Sequence, residues 1–324
     1  MKGFDERLAA LRRAVEDPST KEARTLLRRA LDGKSGLLVA VATRAVEADP
    51  SLLSRLPAAF DRLMEDPVKR DPQCQGKVAI VKHLRDSELD VDELLLRGVR
   101  HVQREPVWGG SVDTAAELRG VSLMALIEGH HPRAMIEAAH LLADPEAMAR
   151  SAAARALGVC TDATAAEPLL RLRVAAGDPE PEVIGECLGA LLQVAPRSAL
   201  PFVAQRLGDA DDAVAEAAAL ALGESRLPEA LAPLQAQVER SVLGRRRGVM
   251  MLAIAMLRAE AAWSWLVEQV ADGARGEAAD ALKALATFSH DERLAARVRE
   301  AVAGRPDDVL ASAAAELFGP ASPE

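Results

Sequence analysis

Apolar residues recur along this chain at the spacing of helix faces. The first such face has residues at i, i+4, i+7 and i+11, namely Phe4, Leu8, Leu11 and Val15. Residues at these intervals lie on one side of an α-helix. The same spacing predicts further helices near residues 20–31, 35–48, 51–65, 73–86 and 91–103. No strand-like alternation of useful length is found, so the pattern predicts an all-α chain.

From residue 113 onward the helical pattern becomes periodic. The phrase that ends at Leu157-Gly158 returns at Leu222-Gly223. Prolines open apolar helical runs at intervals of 33 and 32 residues, at Pro168, Pro201 and Pro233. A period in the thirties is typical of stacked helical hairpins, because a single hairpin cannot bury its apolar face alone. The sequence therefore predicts a right-handed α-solenoid of roughly ten hairpins, capped by a final helix over residues 307–318.

Two parts of the chain differ in regularity. Residues 1–112 are predicted to form irregular N-terminal helical repeats, and residues 113–324 to form regular repeats with a C-terminal capping helix. A capping box of Thr114 and Glu117 is predicted where the regular part begins. Helix boundaries are marked by Asp-Pro pairs, because Asp accepts from free backbone amides and Pro fits the first helical turn. Six such pairs begin at Asp17, Asp49, Asp66, Asp71, Asp144 and Asp178.

The regular part resembles HEAT repeats, particularly the short Ala-rich kind named after phycobilisome lyases. The phrases from Asp144 to Gly158 and from Asp211 to Gly223 carry the resemblance, which covers residues 113–318. It implies a HEAT- or ARM-like α-solenoid that serves as a scaffold or docking surface, and occasionally as an enzyme. HEAT-type deoxyhypusine hydroxylases hold two irons with His-Glu pairs. None of the six histidines of this chain is followed by Glu, which excludes that chemistry.

The amino-acid composition indicates the cellular compartment in which the protein is expected. The chain has 324 residues, 49% of them apolar, and a net charge of −9. Its cysteines, Cys74, Cys160 and Cys187, have no paired spacing, which is typical of small core residues in a reducing compartment. The longest apolar run, residues 249–257, is shorter than the roughly 20 residues that cross a membrane. The sequence predicts a cytoplasmic protein with no membrane contact, no bound metal and no cofactor.

The segment 101–111 combines chemically distinctive residues between the irregular and the regular parts. His101, Arg104 and Trp108 are candidate partner-binding residues, because Trp and Arg are frequent hot spots and loops on rigid scaffolds often carry function. The alternative is a structural corner in which Trp108 fills the seam between two subarrays. The sequence leaves both interpretations open. Trp265 points away from the apolar face of its helix and is a further candidate contact residue.

Basic residues are concentrated in the first third of the chain. Residues 1–110 hold 20 Lys and Arg against 18 Asp and Glu, whereas the remainder holds 20 against 31. Lys21, Arg24 and Arg28 form a helical stripe that fits nucleic acid or an acidic partner. No aromatic residues interleave with the stripe, so a solvated face is the favoured interpretation.

Arginine also recurs at one position of the repeat. Arg119, Arg150 and Arg275 occupy it. These residues form either an anion-binding row or, as we favour, a structural ladder in which each Arg bonds to the Asp of an adjoining turn.

No catalytic constellation is found, and the leading hypothesis is a non-enzymatic protein-interaction scaffold. Its concave docking row is expected on the second helices, near residues 132–143, 164–176, 199–208 and 228–240. The acidic remainder favours a basic protein partner. The alternative is an enzyme or enzyme subunit, lyase-like, with a small-molecule pocket near residues 101–111. A second alternative is a nucleic-acid binder that uses the basic stripe, which the net negative charge disfavours.

Overall fold

The computed structural model describes residues 2–240 and 245–319. The chain divides into two compact units, Met1–Cys160 and Thr161–Glu324. The boundary predicted between residues 112 and 113 lies inside the first unit, within the second strand of a β-hairpin.

The first unit consists of helices and one β-hairpin. Its α-helices are α1 (Lys2–Glu16), α2 (Lys21–Leu31), α3 (Gly36–Thr43), α4 (Leu56–Met64), α5 (Pro67–Arg70), α6 (Gln75–Leu84), α7 (Asp92–Val99), α8 (Ala116–Glu128), α9 (Ala134–Leu142) and α10 (Ala147–Gly158). Short 3-10 helices cover Pro50–Arg55 and Pro72–Cys74. The antiparallel strands β1 (Arg104–Val107) and β2 (Gly110–Asp113) form the hairpin between α7 and α8.

The second unit is helical throughout its described residues. Its α-helices are α11 (Ala163–Ala176), α12 (Pro181–Val194), α13 (Pro196–Arg206), α14 (Asp212–Ser225), α15 (Leu231–Arg240), α16 (Arg245–Met256), α17 (Glu260–Asp272), α18 (Arg275–Ala286), α19 (Glu292–Ala303) and α20 (Asp308–Phe318). A 3-10 helix covers Pro228–Ala230. The predicted all-α solenoid of stacked hairpins is confirmed, and the predicted last helix corresponds to α20.

Aspartates begin many of the helices, as the sequence predicts. Four of them accept hydrogen bonds from backbone amides at the starts of α11, α14, α19 and α20, namely Asp162, Asp211, Asp291 and Asp307. The capping box predicted for Thr114 is wrong. The Thr114 hydroxyl donates to Glu105 instead, and Asp113 accepts from the Ala115 amide just before α8.

Close helix packing runs along one row of each unit. In the second unit, α12, α14, α16 and α18 each pack on the next helix of the row. Small residues allow this approach, since a Cβ added to Gly223 of α14 would lie 2.6 Å from the carbonyl oxygen of Ala253 in α16. In the first unit, α3, α6, α8 and α10 form the corresponding row.

The remaining helices of the second unit's stack pack chiefly against this close row. Among them, α11 packs on α12, α13 packs on α12 and α14, and α15 packs on α16. The row from α12 to α18 is therefore the more closely packed of the two rows of this unit. The predicted concave docking row, near residues 132–143, 164–176, 199–208 and 228–240, corresponds to α9, α11, α13 and α15 and stays a prediction.

None of the helices in the described part of the chain combines the length and the apolar content that crossing a membrane requires.

Candidate functional site

The β-hairpin of residues 104–113 interrupts the helical stack of the first unit. Its strands pair with Arg104 opposite Asp113 and Val107 opposite Gly110. The tip is the two-residue turn Trp108-Gly109, in which Gly109 has a φ of +87° that favours glycine. The expectation of no strands is wrong at this one place. The strands are only four residues long, too short for alternation to be visible in the sequence.

Trp108 is exposed to solvent at the tip of the hairpin. Its relative exposure is 103%, the highest among the exposed large apolar residues. Two valines of the hairpin strands, Val107 and Val112, are also about half exposed. The interpretation of Trp108 as the filling of a seam is therefore wrong, because the indole ring packs against no seam. A fully exposed indole with apolar neighbours is typical of a contact surface.

The base of the hairpin is fixed by the carboxylate of Glu105. One of its oxygens accepts from the Gln73 amide at 2.6 Å, from Gln103 Nε2 at 2.7 Å and from the Thr114 hydroxyl at 2.7 Å. Burial alone would raise the pKa of Glu105, but these three hydrogen bonds outweigh it and lower the pKa. Glu105 therefore ties β1 to the 72–74 turn and to the start of α8.

A buried ion pair lies beneath Glu105. Lys77 Nζ is 3.0 Å from Asp71 Oδ2, and both side chains are at least 99% buried. Lys77 also donates to Gln103 Oε1 at 3.0 Å, and Gln103 Nε2 donates to the Asp71 carbonyl oxygen at 2.9 Å. Asp71 accepts further from the amides of Gly76 and Lys77. The charges of Lys77 and Asp71 are therefore both paired and hydrogen-bonded, as buried charges require.

The chain is strained where it enters this base. Gln73 and Cys74 both adopt left-handed backbone angles, with φ of 59° and 56°. Non-glycine residues hold such angles only where their surroundings impose them. Burial raises the pKa of the Cys74 thiol to about 11, so the thiol stays protonated and lies 3.2 Å from Gln103 Oε1 as its donor.

Asp113 and Arg119 secure the other side of the hairpin. Burial would raise the pKa of Asp113, but hydrogen bonds from the amides of Ala115 and Gln103 and from Arg119 lower it. Arg119 NH1 lies 2.7 Å from Asp113 Oδ2 and also donates to the His101 carbonyl oxygen. The hairpin is thus anchored on both strands.

The predicted site residues are separated in the structure. His101 lines a cavity in the first unit, whereas Arg104 and Trp108 lie on the exposed hairpin and do not line it. Burial lowers the pKa of His101, assisted by the nearby charges of Lys77 and Arg119. The three residues therefore do not line this cavity together, and the small-molecule pocket near residues 101–111 stays a prediction. Trp265 lies half-buried on α17 of the second unit.

The basic stripe lies on the solvent face of α2. Lys21, Arg24 and Arg28 are all exposed. Arg24 and Arg28 are close enough to Asp49 to contribute to the lowered pKa of that carboxyl, after the hydrogen bond from Ser51. An acidic neighbour thus partly offsets the charge of the stripe.

The three arginines at the shared repeat position bond to adjoining turns. Arg119 NH2 donates to Asp144 Oδ1 at 2.9 Å, in the turn before α10. Arg150 donates to the carbonyl oxygens of Asp144 and Pro145. Arg275 Nε lies 3.5 Å from Asp307, the N-cap residue of α20.

The buried base is the feature that the sequence analysis missed. Lys77, Ile80, Val81 and Leu84 share one face of α6, and a lysine on an otherwise apolar face signals a buried pair. The sequence around Gln103 and Glu105 contains no comparable pattern that would indicate buried hydrogen bonds. Among residues 2–240 and 245–319 there is no cluster of three or more His, Cys, Asp or Glu that could hold a metal ion.

The fold defines a helical-repeat protein that carries an exposed hairpin. Residues 170–255, from α11 to α16, match the family model for HEAT repeats. This match supports a HEAT-repeat family for the stacked hairpins of the second unit and does not distinguish the phycobilisome-lyase-like kind. Among curated proteins, none matches the chain.

Proposed function

We propose that this chain is a non-enzymatic protein-interaction scaffold that contacts a protein partner through the tip of the 104–113 hairpin. The observation that carries the proposal is the complete exposure of Trp108 on a hairpin whose base is buried and fully hydrogen-bonded. Buried tryptophans dominate binding energies at interfaces. A tip that is already rigid loses little conformational entropy when it docks.

The chemistry around the tip fits a protein partner better than the alternatives. Val107 and Val112 extend the apolar surface beside Trp108, and Arg104 adds one cation. An apolar pocket on a partner protein would bury the indole. The basic stripe lacks stacking aromatics, which disfavours nucleic acid. A lyase-like enzyme of the phycobilisome kind is less favoured, because Arg104 and Trp108 do not line the cavity that His101 lines.

The cytoplasm is the proposed location. Cys74 and Cys187 are free and buried, and burial raises the pKa of Cys187 to about 12. Protonated thiols in the core suit a reducing compartment.

The test compares two truncations of large exposed apolar residues, Trp108→Ala and Leu172→Ala. Leu172, on α11 of the second unit, is 67% exposed and serves as the matched control. Each variant is used to capture proteins from native cytosol, with quantification by mass spectrometry. We expect one stoichiometric partner that binds wild type and Leu172→Ala alike and is lost from Trp108→Ala.

Thermal unfolding of the same variants separates binding from folding. Trp108→Ala should leave the melting temperature unchanged, because the indole makes no buried contact that truncation would remove. A partner retained at full stoichiometry by Trp108→Ala would contradict the proposed contact. A lowered melting temperature would show that the indole packs in solution.

A further inference from the structure

A cavity of about 540 Å³ opens in the first unit beside α7. Its apolar wall is formed by Met64, Leu96 and Val102. Arg100, at the end of α7, and Arg133, just before α9, line its polar wall. Cavities of this volume hold small ligands or single side chains, and a few placed polar groups fix their orientation.

One buried carboxylate orients both arginines. Glu137 of α9 is only 2% exposed. It accepts from Arg100 Nε at 3.0 Å and from Arg100 NH2, and from Arg133 Nε and NH2 at 3.3 Å each. The hydrogen bond from Arg100 is the main cause of the lowered pKa of Glu137. Glu137 is therefore ionised near neutral pH, and it holds two guanidinium groups in fixed positions.

Two guanidinium groups share the Glu137 carboxylate, and Glu93 at the same cavity balances the second positive charge. Arg100 and Arg133 remain 50% and 51% exposed. Within the described residues, no hydrogen bond is donated by NH1 of either arginine, so each keeps donors for a ligand. A planar guanidinium fork matches the geometry of a carboxylate.

The other charged groups at the cavity disfavour a ligand with two negative charges. Arg97 is paired with Asp61 at 2.6 Å, which neutralises it. Glu93 also lines the cavity and would repel a dianion. The apolar wall adds a requirement for a hydrocarbon body next to the charged group.

We propose that this cavity binds an apolar monocarboxylate, with its carboxylate on Arg100 and Arg133 and its aliphatic body against Met64, Leu96 and Val102. Two sources share this chemistry: the C-terminal residue of a peptide, and a free aliphatic acid. The site is independent of the hairpin tip, so it neither needs nor tests the protein-interaction function.

The experiment is a calorimetric titration of the full-length protein at pH 7. The probes are hexanoate, a hexapeptide ending in leucine with a free carboxylate, the same peptide with an amidated end, and inorganic phosphate. We expect saturable one-to-one binding of a carboxylate and none of the amidated peptide. Tighter binding of the peptide than of hexanoate identifies a peptide C-terminus, and the reverse order identifies a free acid.

Two substitutions test whether the carboxylate binds in this cavity. Arg133→Gln leaves the Arg100–Glu137 pair in place and should weaken the carboxylate about tenfold, as loss of a charged hydrogen bond predicts. Arg100→Gln should weaken it at least as much. Arg85→Gln is the matched control, because Arg85 pairs with Glu128 and does not line this cavity. Circular dichroism establishes that each variant is folded before titration, and Trp108→Ala should bind as wild type does.

Several results would overturn the proposal. Absence of carboxylate binding at millimolar concentration would do so, as would equal binding of the amidated peptide or of phosphate. Binding that Arg133→Gln leaves unchanged would place the ligand elsewhere.

Discussion

Trp108 and Lys77 differ completely in solvent exposure. One network of hydrogen bonds, at the base of the 104–113 hairpin, connects the strand that carries Trp108 to Lys77. Trp108 is fully exposed at the hairpin tip, whereas Lys77 has no exposed surface. Gln103 accepts from Lys77 and donates to Glu105, the first-strand carboxylate that holds the hairpin. The buried charge pair thus supports the strand pair that presents the indole. Stability and presentation of the contact residue depend on the same few hydrogen bonds.

The first prediction concerns the buried cation. Lys77→Met should lower the free energy of unfolding by about 3–5 kcal/mol, because it leaves the Asp71 carboxylate buried without its partner. The measurement is equilibrium unfolding in urea. The exposed pair Lys82–Glu117 provides the matched control, and Lys82→Met should cost at most about 1 kcal/mol.

A double variant checks the cause of that loss. Asp71→Asn combined with Lys77→Met removes both charges and should recover part of the stability lost in Lys77→Met alone. A double variant no more stable than Lys77→Met would show that packing, rather than the unpaired charge, causes the destabilisation.

At the scale of elements, the carboxylates that hold the hairpin should lose their stabilising effect in acid. The folded-state pKa values of Glu105 and Asp113 are both lowered by hydrogen bonds. A carboxyl group whose pKa is lowered on folding stabilises the folded state at pH values above its ordinary pKa, near 4. This stabilisation is lost as the pH falls through the lowered pKa of the folded state. The stability difference between wild type and Glu105→Gln should therefore be largest at neutral pH and shrink below about pH 4.

Unfolding of both proteins across this pH range provides the measurement. A stability difference that stays constant from pH 7 to pH 3 would mean that Glu105 does not titrate with folding.

Close packing of α14 on α16 gives a second prediction at this scale. Gly223→Ala should cost about 1–3 kcal/mol, because the new Cβ would lie 2.6 Å from the Ala253 carbonyl oxygen of the neighbouring helix. Gly189→Ala is the same change inside α12, where no atom lies within 4 Å, and it should gain about 0.5–1 kcal/mol. Urea unfolding measures both, and equal effects of the two substitutions would contradict the proposed packing constraint.

Helices were predictable from the sequence and the hairpin was not. A helix face repeats over several turns, so its period is visible in one sequence, as α2 shows. Strands β1 and β2 are short, and their pairing depends on Gly109 and on hydrogen bonds to the 71–77 segment, such as the one from the Gln73 amide to Glu105. Contacts between distant residues of this kind leave no local period.

At the scale of the whole molecule, the repeat period predicted a stack of helical hairpins but not which row of helices packs more closely in the second unit. Both rows have apolar faces of similar period. The difference arises from small residues such as Gly223, which let α14 and α16 approach closely. Close approach is a property of helix pairs, so it becomes visible only when neighbouring helices are placed together.

Charge gives a prediction for the complete chain. Residues 111–324 carry 20 Lys and Arg against 31 Asp and Glu, which favours a basic partner. Raising the salt concentration until the Debye length falls from about 10 Å to about 3 Å should slow association with the captured partner. Surface plasmon resonance measures the rate, and an association rate independent of salt would rule out electrostatic steering.

The most direct test of the scaffold is photo-cross-linking from the hairpin tip. A photoreactive phenylalanine replaces Trp108 in one protein and Leu172 in the other, and both are irradiated in native cytosol. We expect one partner protein that is cross-linked from position 108 and not from position 172. Equal, unselective cross-linking from both positions, or none from position 108, would contradict the assignment of Trp108 as the contact residue of a protein-interaction scaffold.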